Sequence, residues 1–158
     1  NGATLLNTGR AHIAHAMVKK GYVASVDEAF KKYLSKGMSC YVPRKTYSPK
    51  ESIEMIKNAG GLAILAHPVY ITEDYGKLYS LLKQLKEYGL DGTECLYNCY
   101  SEEFSKMCFD ICDKLGLVKS GGSDFHGGNK PDVELGKVAG GYVPYEFLLN
   151  MKEQRGLM

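Results

Sequence analysis

The sequence predicts an α/β fold in which helices alternate with the strands of a parallel sheet. The apolar run at 62–66 and the pair Leu117-Val118 in the segment 117–120 are typical of buried strands. A further strand is expected at 90–96, and segments with helical periodicity separate the three. Only a few residues connect each helix to the next strand, which is typical of β/α units. We therefore expect these three strands to be parallel neighbours in part of a (β/α) barrel.

The chain is expected to have two parts. Residues 1–46 hold two helical segments with no strand between them, which indicates a small helical insert near the N-terminus. Residues 47–158 hold the alternating β/α units of the partial barrel.

Helix start and stop signals give the helices of the predicted insert. The first helix is expected to begin at Thr8, an N-cap residue, and to end at Gly21. The second begins at Ser25, because Ser25 and Glu28 have the spacing of a capping box, and it ends before Gly37.

Four helices and a short strand of the predicted barrel part have recognisable signals in the sequence. Ser48 with Glu51 forms another capping box, and a stripe of leucines marks the next helix. Ser101 is expected to cap a third helix and Pro144 to open the last one, after a short strand at 135–138. The leucine stripe consists of Leu78, Leu81, Leu82 and Leu85.

Composition limits the functional classes. The net charge of +2 among 158 residues is too small to indicate a nucleic-acid surface by itself. No run of about 18 apolar residues is present, so we expect no membrane span, and no protein partner is evident. Five cysteines, an odd number, favour reduced thiols and a cytoplasmic setting.

The cysteine spacings leave two interpretations open. Cys95 with Cys99, and Cys108 with Cys112, are each four residues apart, which would suit a zinc site. Cys108 and Cys112 also fall on the apolar stripe of a predicted helix, where free cysteine packs as a small hydrophobic residue. We favour the second interpretation.

Two motifs at predicted strand ends carry metal-binding side chains. Asp124 and His126 lie two residues apart behind a glycine pair, after the strand at 117–120. His67 ends the strand at 62–66, and Pro68 disfavours a helical backbone at that histidine. Ligands of α/β folds bind where parallel strands end, so we expect His67, Asp124 and His126 to share one metal shell. Glu94 lies at the same edge and is left outside this ligand set.

These motifs resemble a known family. Ala66-His67-Pro68 and Gly122-Ser123-Asp124-Phe125-His126 are similar to the third and fourth motifs of the PHP (polymerase and histidinol phosphatase) family of metal-dependent phosphoesterases. The flanking segments resemble the stand-alone bacterial subgroup that acts on nucleotides or short RNA. They are Thr8-Gly9-Arg10-Ala11-His12-Ile13-Ala14 and Tyr41-Val42-Pro43-Arg44.

The resemblance implies a phosphoesterase that uses two or three divalent ions (Mn, Zn, Fe or Mg). The substrate would be a small phosphoester or a short oligonucleotide. Asp124 would hold an ion and orient the attacking water, while Arg10, His12 and Arg44 would contact substrate phosphate. His12 and His15 form a possible metal pair by spacing alone, but neither matches a ligand position of the family.

The resemblance covers only the C-terminal part of such a domain. The His-x-His signature, the following Asp, and the early His and Glu ligands of the family have no counterpart ahead of Arg10. We therefore expect the 158 residues alone to be a poor catalyst and the full-length protein to be the enzyme. Two alternatives stay open: a non-catalytic nucleotide-binding module on a degraded scaffold, and a histidinol-phosphate phosphatase.

Overall fold

The computed structural model describes residues 9–43 and 46–157. The chain divides into two compact units, Asn1–Thr46 and Tyr47–Met158. Each unit has its own cluster of buried hydrophobic side chains.

The N-terminal unit is helical. Helix α1 spans Arg10–Lys19 behind Gly9 as N-cap, and α2 spans Val26–Ala29 before a π-helical stretch, Phe30–Leu34. Ser25 Oγ accepts the Glu28 N–H at 3.1 Å, as the capping box predicts. The N-cap Gly9 lies one residue after the predicted N-cap, Thr8, which itself lies outside the described residues. The buried core of this unit is small and comprises Ala14, Val23, Ala29 and Leu34.

The C-terminal unit alternates helices and strands. In chain order its regular elements are α3 (Pro49–Asn58), β1 (Ile64–Leu65), α4 (Tyr75–Glu87), β2 (Gly92–Tyr97), α5 (Glu102–Leu115), β3 (Val118–Gly122), β4 (Lys137–Val138), β5 (Gly141–Tyr142) and α6 (Tyr145–Gln154). Two single 3₁₀ turns, Pro68–Tyr70 and Gly127–Asn129, follow β1 and β3.

The three predicted strands form one sheet in the order β1-β2-β3. Both pairings are parallel, with Ile64 opposite Gly92 and Gly92 opposite Val118. This confirms the predicted parallel neighbours, and their α/β winding places the ends of β1 and β3 at one edge of the sheet. The strand predicted at 135–138 is shorter than expected: Lys137–Val138 pairs antiparallel with Gly141–Tyr142, a hairpin that the sequence did not indicate.

Helices α4 and α5 supply most of the buried side chains in the hydrophobic core of the C-terminal unit. Leu78 and Leu82 are fully buried on α4, as the leucine stripe predicts. Cys108 and Cys112 are fully buried on α5, which agrees with their interpretation as core residues. Cys112 Sγ lies 3.5 Å from Cys95 Sγ, and all five cysteines are free thiols.

A buried carboxylate fixes the start of β1. Asp91, between α4 and β2, accepts the Ala63 N–H through Oδ2 at 2.7 Å and pairs with Lys57 through Oδ1 at 2.6 Å. The same Oδ1 accepts a hydrogen bond from Gln154 on α6 at 3.3 Å. Asp91 therefore ties three elements together at the edge of the sheet where β1 and β2 begin.

None of the helices in the described ranges has the length and apolar character that a membrane crossing requires.

Candidate active site

The predicted site residues lie where β1 and β3 end. His67 follows β1 by two residues, and Asp124 and His126 follow β3 by two and four. Since β1 and β3 flank β2 in a parallel sheet, all three histidine and aspartate side chains belong to the same edge of the sheet.

His67 has an unusual backbone conformation. Its φ of 35° and ψ of 55° are left-handed, a region that costs a residue other than glycine about 1–3 kcal/mol. Pro68, which is fully buried, follows it and disfavours the ordinary helical region. The His67 N–H donates to Glu94 Oε2 at 2.6 Å. The proline and the carboxylate together define how this strand end turns.

Glu94 belongs to the site, although the prediction left it out. Only 9% of its surface is exposed, and burial raises the pKa of its carboxyl group. A Cβ atom on Gly122 would lie 3.1 Å from Glu94 Oε1, so the carboxylate also reaches the end of β3. The signal available in the sequence was an acidic residue inside an otherwise uncharged strand, where burial is costly unless the residue has a specific partner.

Asp124 is held by two side chains. Tyr97 donates its hydroxyl to Asp124 Oδ2 at 3.0 Å, and the Lys130 ammonium forms an ion pair with the same oxygen. The hydrogen bond from Lys130 is the main reason that the pKa of Asp124 lies below its ordinary value. The residue has a left-handed φ of 54°, which aspartate tolerates better than most residues. Asp124 is therefore a carboxylate at neutral pH.

His126 packs back on Asp124. Its Nδ1 lies 2.7 Å from the main-chain oxygen of Asp124 and 3.5 Å from the carboxylate Oδ1. A carbonyl oxygen can only accept, so in the neutral imidazole this hydrogen bond assigns the proton to Nδ1 and the lone pair to Nε2. His126 thus presents the nitrogen that a metal ion or a substrate proton would use.

Aromatic rings connect His67 to Asp124. The Tyr97 ring centroid lies 6.2 Å from that of His67, and its hydroxyl is the donor to Asp124. Tyr70 lies 5.6 Å from His67, and 69% of its surface is exposed. Tyr97 is thus a structural link between the two motifs, whereas Tyr70 places a largely exposed ring beside them.

The structure pairs Asp124 with His126 but does not assemble the predicted three-residue metal shell. In the described ranges, no three His, Cys, Asp or Glu side chains are grouped so that they could hold a metal ion. The Lys130 ammonium forms an ion pair with the Asp124 carboxylate. The His67 ring contacts the Tyr97 ring, and Tyr97 in turn contacts Asp124. That His67, Asp124 and His126 bind a common metal therefore stays a prediction.

The predicted phosphate-binding residues lie in the N-terminal unit. Arg10 donates to the Leu34 main-chain oxygen at 3.2 Å, and its guanidinium lies over the rings of Phe30 and Tyr41. His12 Nδ1 accepts the Gly9 N–H at 3.1 Å. Both therefore have structural contacts within this unit, and Arg44 lies outside the described residues.

The chain is similar to known proteins in sequence and in structure. No family model matches the chain. It is 34% identical over 129 residues to a 5′-3′ exoribonuclease of Haemophilus influenzae, covering 80% of this chain and 47% of that protein. It is 30% identical over 128 residues to a 3′,5′-nucleoside bisphosphate phosphatase of Chromobacterium violaceum, covering 80% of this chain and 45% of that protein.

Two solved structures resemble the fold. A candidate metal-dependent phosphoesterase of Bifidobacterium adolescentis matches with a TM-score of 0.69. An amidohydrolase of Chromobacterium violaceum, solved with bound sulfate and no metal, matches with a TM-score of 0.65. Each is 27% identical to this chain, and each match covers 94% of this chain and 51% of that structure.

The chain spans about half the length of the relatives that it matches. The relatives agree with the motifs that end β1 and β3 in pointing to phosphoesterases. By these matches and its His67 and Asp124 motifs, the chain belongs to the polymerase and histidinol phosphatase (PHP) family and covers part of its domain.

Proposed function

We propose that the protein is a metal-dependent phosphoesterase that hydrolyses phosphate esters of nucleotides or short oligonucleotides. The observation that carries the proposal is the placement of His67 and the Asp124–His126 pair at one edge of a parallel sheet, on strands that flank β2. The relatives named as an exoribonuclease and as a nucleoside bisphosphate phosphatase support the nucleotide class.

The donor atoms at this edge suit a divalent cation. Imidazole nitrogen and carboxylate oxygen are ligands for Mn²⁺, Zn²⁺ and Fe²⁺, and carboxylate also suits Mg²⁺. The ion pair between Lys130 and Asp124 indicates that a cation is favourable at this carboxylate. His67, Asp124 and His126 would hold an ion, and the family resemblance implies two or three. When bound, such ions neutralise phosphoryl oxygens and lower the pKa of a water molecule.

The side chains of the chain suit the remaining tasks of the reaction. Asp124, ionised at neutral pH, can accept a hydrogen bond from the attacking water and orient it. Tyr97 restrains that carboxylate through its hydroxyl. His126, with Nδ1 bonded to the main chain, leaves Nε2 for a ligand or a proton. The exposed ring of Tyr70 provides a stacking face for a nucleobase.

The finer assignments rest on the resemblance. We propose that residues 1–46 are the helical insert of the family and that Arg10, His12 and Arg44 contact substrate phosphate. An arginine suits this role because its planar guanidinium can bind two phosphate oxygens. A cytoplasmic setting is proposed from the five free thiols.

One observation favours a second candidate function. Lys130 neutralises Asp124, and the described residues contain no ready group of three metal ligands. A protein that binds nucleotides without hydrolysing them would look the same at this edge. Metal-dependent turnover separates the two functions.

The test is hydrolysis by the full-length protein loaded with Mn²⁺. The substrates are a 3′,5′-nucleoside bisphosphate, a 5′-phosphorylated trinucleotide RNA and histidinol phosphate. We expect release of phosphate or nucleotide by the wild type and loss of turnover in Asp124→Ala. The control is Asp113→Ala, an exposed aspartate on α5 that should leave the rate unchanged.

Three results would contradict parts of the proposal. Wild-type turnover in Asp124→Ala would place the activity at another site. Binding of nucleotides without turnover in any divalent metal would favour the binding module. A preference for histidinol phosphate over both nucleotide substrates would keep the reaction class and overturn the substrate assignment.

A further inference from the structure

Glu94 is a buried carboxylate on the strand that contributes none of the predicted metal ligands. Its neighbours Thr93 and Cys95 are fully buried, and β2 is the central strand of the sheet. A carboxylate in such a place is unfavourable unless hydrogen bonds compensate for the lost water. The buried position of Glu94 therefore requires a specific hydrogen-bond partner for its carboxylate.

The partner of this carboxylate is the main chain of a predicted metal ligand. Glu94 Oε2 lies 2.6 Å from the His67 nitrogen, a short distance typical of hydrogen bonds to a charged acceptor. The donor residue is the one whose backbone is left-handed, with φ 35° and ψ 55°. A conformation of this kind persists only where its surroundings hold it in place.

The other oxygen of Glu94 faces the second motif. Gly122, the last residue of β3, has its Cβ position 3.1 Å from Glu94 Oε1, so only glycine leaves the carboxylate undisturbed. Asp124 follows two residues later. The single carboxylate therefore lies between the backbone turns that present His67 and Asp124.

A register irregularity in β2 allows this arrangement. Glu94 pairs with Ser120, but the pairing shifts by one residue before Leu96 pairs with Gly121. In a regular strand Glu94 and Tyr97, three positions apart, would point to opposite faces. The extra residue re-aims the chain, so Glu94 contacts His67 while Tyr97 contacts Asp124.

We infer that Glu94 is a positioning residue, which holds the left-handed turn at His67 through the His67 N–H and so sets the direction of the imidazole. The inference rests on the proposed function, because the purpose of the turn is to present His67 to a metal ion. Glu94 itself acts through His67 and is not assigned as a ligand.

The experiment uses Glu94→Ala and Glu94→Gln in the full-length protein. The first readout is the His67 amide proton shift by NMR in the metal-free protein, and the second is the Kd for Mn²⁺ by calorimetry. We expect Glu94→Ala to move the His67 resonance upfield and to raise the Kd by about tenfold or more, as for other residues that orient metal ligands. Glu94→Gln, which keeps an uncharged acceptor oxygen, should give intermediate values for both.

Asp91 provides the matched control. It is also buried and also accepts a main-chain N–H of the β1 segment, from Ala63 at 2.7 Å, but at the opposite edge of the sheet. Asp91→Asn should lower stability without changing the His67 shift or the Mn²⁺ Kd. If losing any buried carboxylate weakened Mn²⁺ binding, the Kd would rise in the Glu94 variants and in Asp91→Asn alike. If Glu94 positions His67, the Kd and the His67 shift change only in the Glu94 variants.

Clear outcomes would overturn the inference. One is a His67 shift and a Kd for Mn²⁺ that are unchanged in Glu94→Ala; another is an equal loss of affinity in Asp91→Asn. A separate variant, His67→Ala, tests the ligand assignment. If His67→Ala binds Mn²⁺ as the wild type does, the proposed ligand set is wrong, and the amide shift of His67 still decides the role of Glu94.

Discussion

The Tyr97 hydroxyl donates a hydrogen bond to the Asp124 carboxylate at 3.0 Å, joining β2 to the motif that follows β3. Tyr97 is 2% exposed, and its ring also contacts the ring of His67. One side chain of the central strand thus restrains residues from both predicted metal-binding motifs. The bond orients Asp124 while leaving the other carboxylate oxygen, Oδ1, to face His126.

Tyr97→Phe should lower phosphoester hydrolysis by about tenfold, as expected for a residue that orients a metal ligand. The ring contact with His67 remains, so the fold should be retained and the effect should come from the freed Asp124 carboxylate. Rates with a 3′,5′-nucleoside bisphosphate and thermal melting of both proteins check this. Tyr79→Phe, on the partly buried face of α4, is the control. An unchanged rate in Tyr97→Phe would show that this bond does not matter for turnover.

Lys130→Gln should strengthen Mn²⁺ binding. Lys130 lowers the pKa of Asp124 by pairing with its carboxylate, and a metal ion would have to displace that ammonium. Removing the ammonium raises the pKa of Asp124 towards its ordinary value of 3.8, so the group stays ionised at pH 7. The Kd should fall by about twofold to fivefold, the scale of an exposed ion pair.

Calorimetric titration of Mn²⁺ into both proteins measures this change. The control is Lys137→Gln, because Lys137 forms a similar exposed pair with Glu134 at 3.1 Å. A weaker Mn²⁺ affinity in Lys130→Gln would mean that the ammonium supports the metal site instead of competing with the ion.

Gly92→Ala should destabilise the sheet by about 3 kcal/mol or more, because the interior has no room for the methyl group. A Cβ at Gly92 would lie 2.3 Å from the Val118 main-chain oxygen and 2.9 Å from Ile64 Cδ1. Both neighbouring strands would have to move away from β2. Gly76→Ala, in the first turn of α4, meets its nearest atom at 3.5 Å and should be neutral or stabilising by up to about 1 kcal/mol.

Urea unfolding of the two alanine variants gives the comparison. If Gly92→Ala is as stable as the wild type, the close approach of β1, β2 and β3 at this position is wrong. If Gly76→Ala is strongly destabilising, the start of α4 differs from the structure described.

Ser48→Ala should lower the free energy of unfolding by about 1 kcal/mol through loss of a helix cap. Ser48 Oγ accepts the Glu51 N–H at 3.2 Å, and Glu51 Oε2 accepts the Ser48 N–H at 2.7 Å. Since the two bonds form one capping box, Glu51→Ala should cost less in the Ser48→Ala background than alone. Ser52→Ala, within the same helix, is the control. Additive losses in the double variant would contradict the reciprocal cap.

Local signals were sufficient for the helices and for the parallel sheet. Ser48, Ser25 and Ser101 cap their helices as predicted, because a cap depends on a side chain and the backbone N–H three residues further along the chain. That β1, β2 and β3 are parallel neighbours followed from the alternation of helices and strands with short connections, since the handedness of β/α units leaves few arrangements. The burial of Cys108 and Cys112 followed from their place on an apolar helical stripe.

The contacts of the site were decided by the tertiary structure. Sequence motifs placed His67, Asp124 and His126 at the ends of strands, because a strand end is a local feature. Glu94 binds the main chain of His67, 27 positions away, and Tyr97 binds Asp124, also 27 positions away. Lys130 pairs with the same Asp124 carboxylate from 6 positions away. The bulge between Glu94 and Leu96 aims the first two side chains, and it arises from the pairing of β2 with β3, which the pattern of a single strand does not encode.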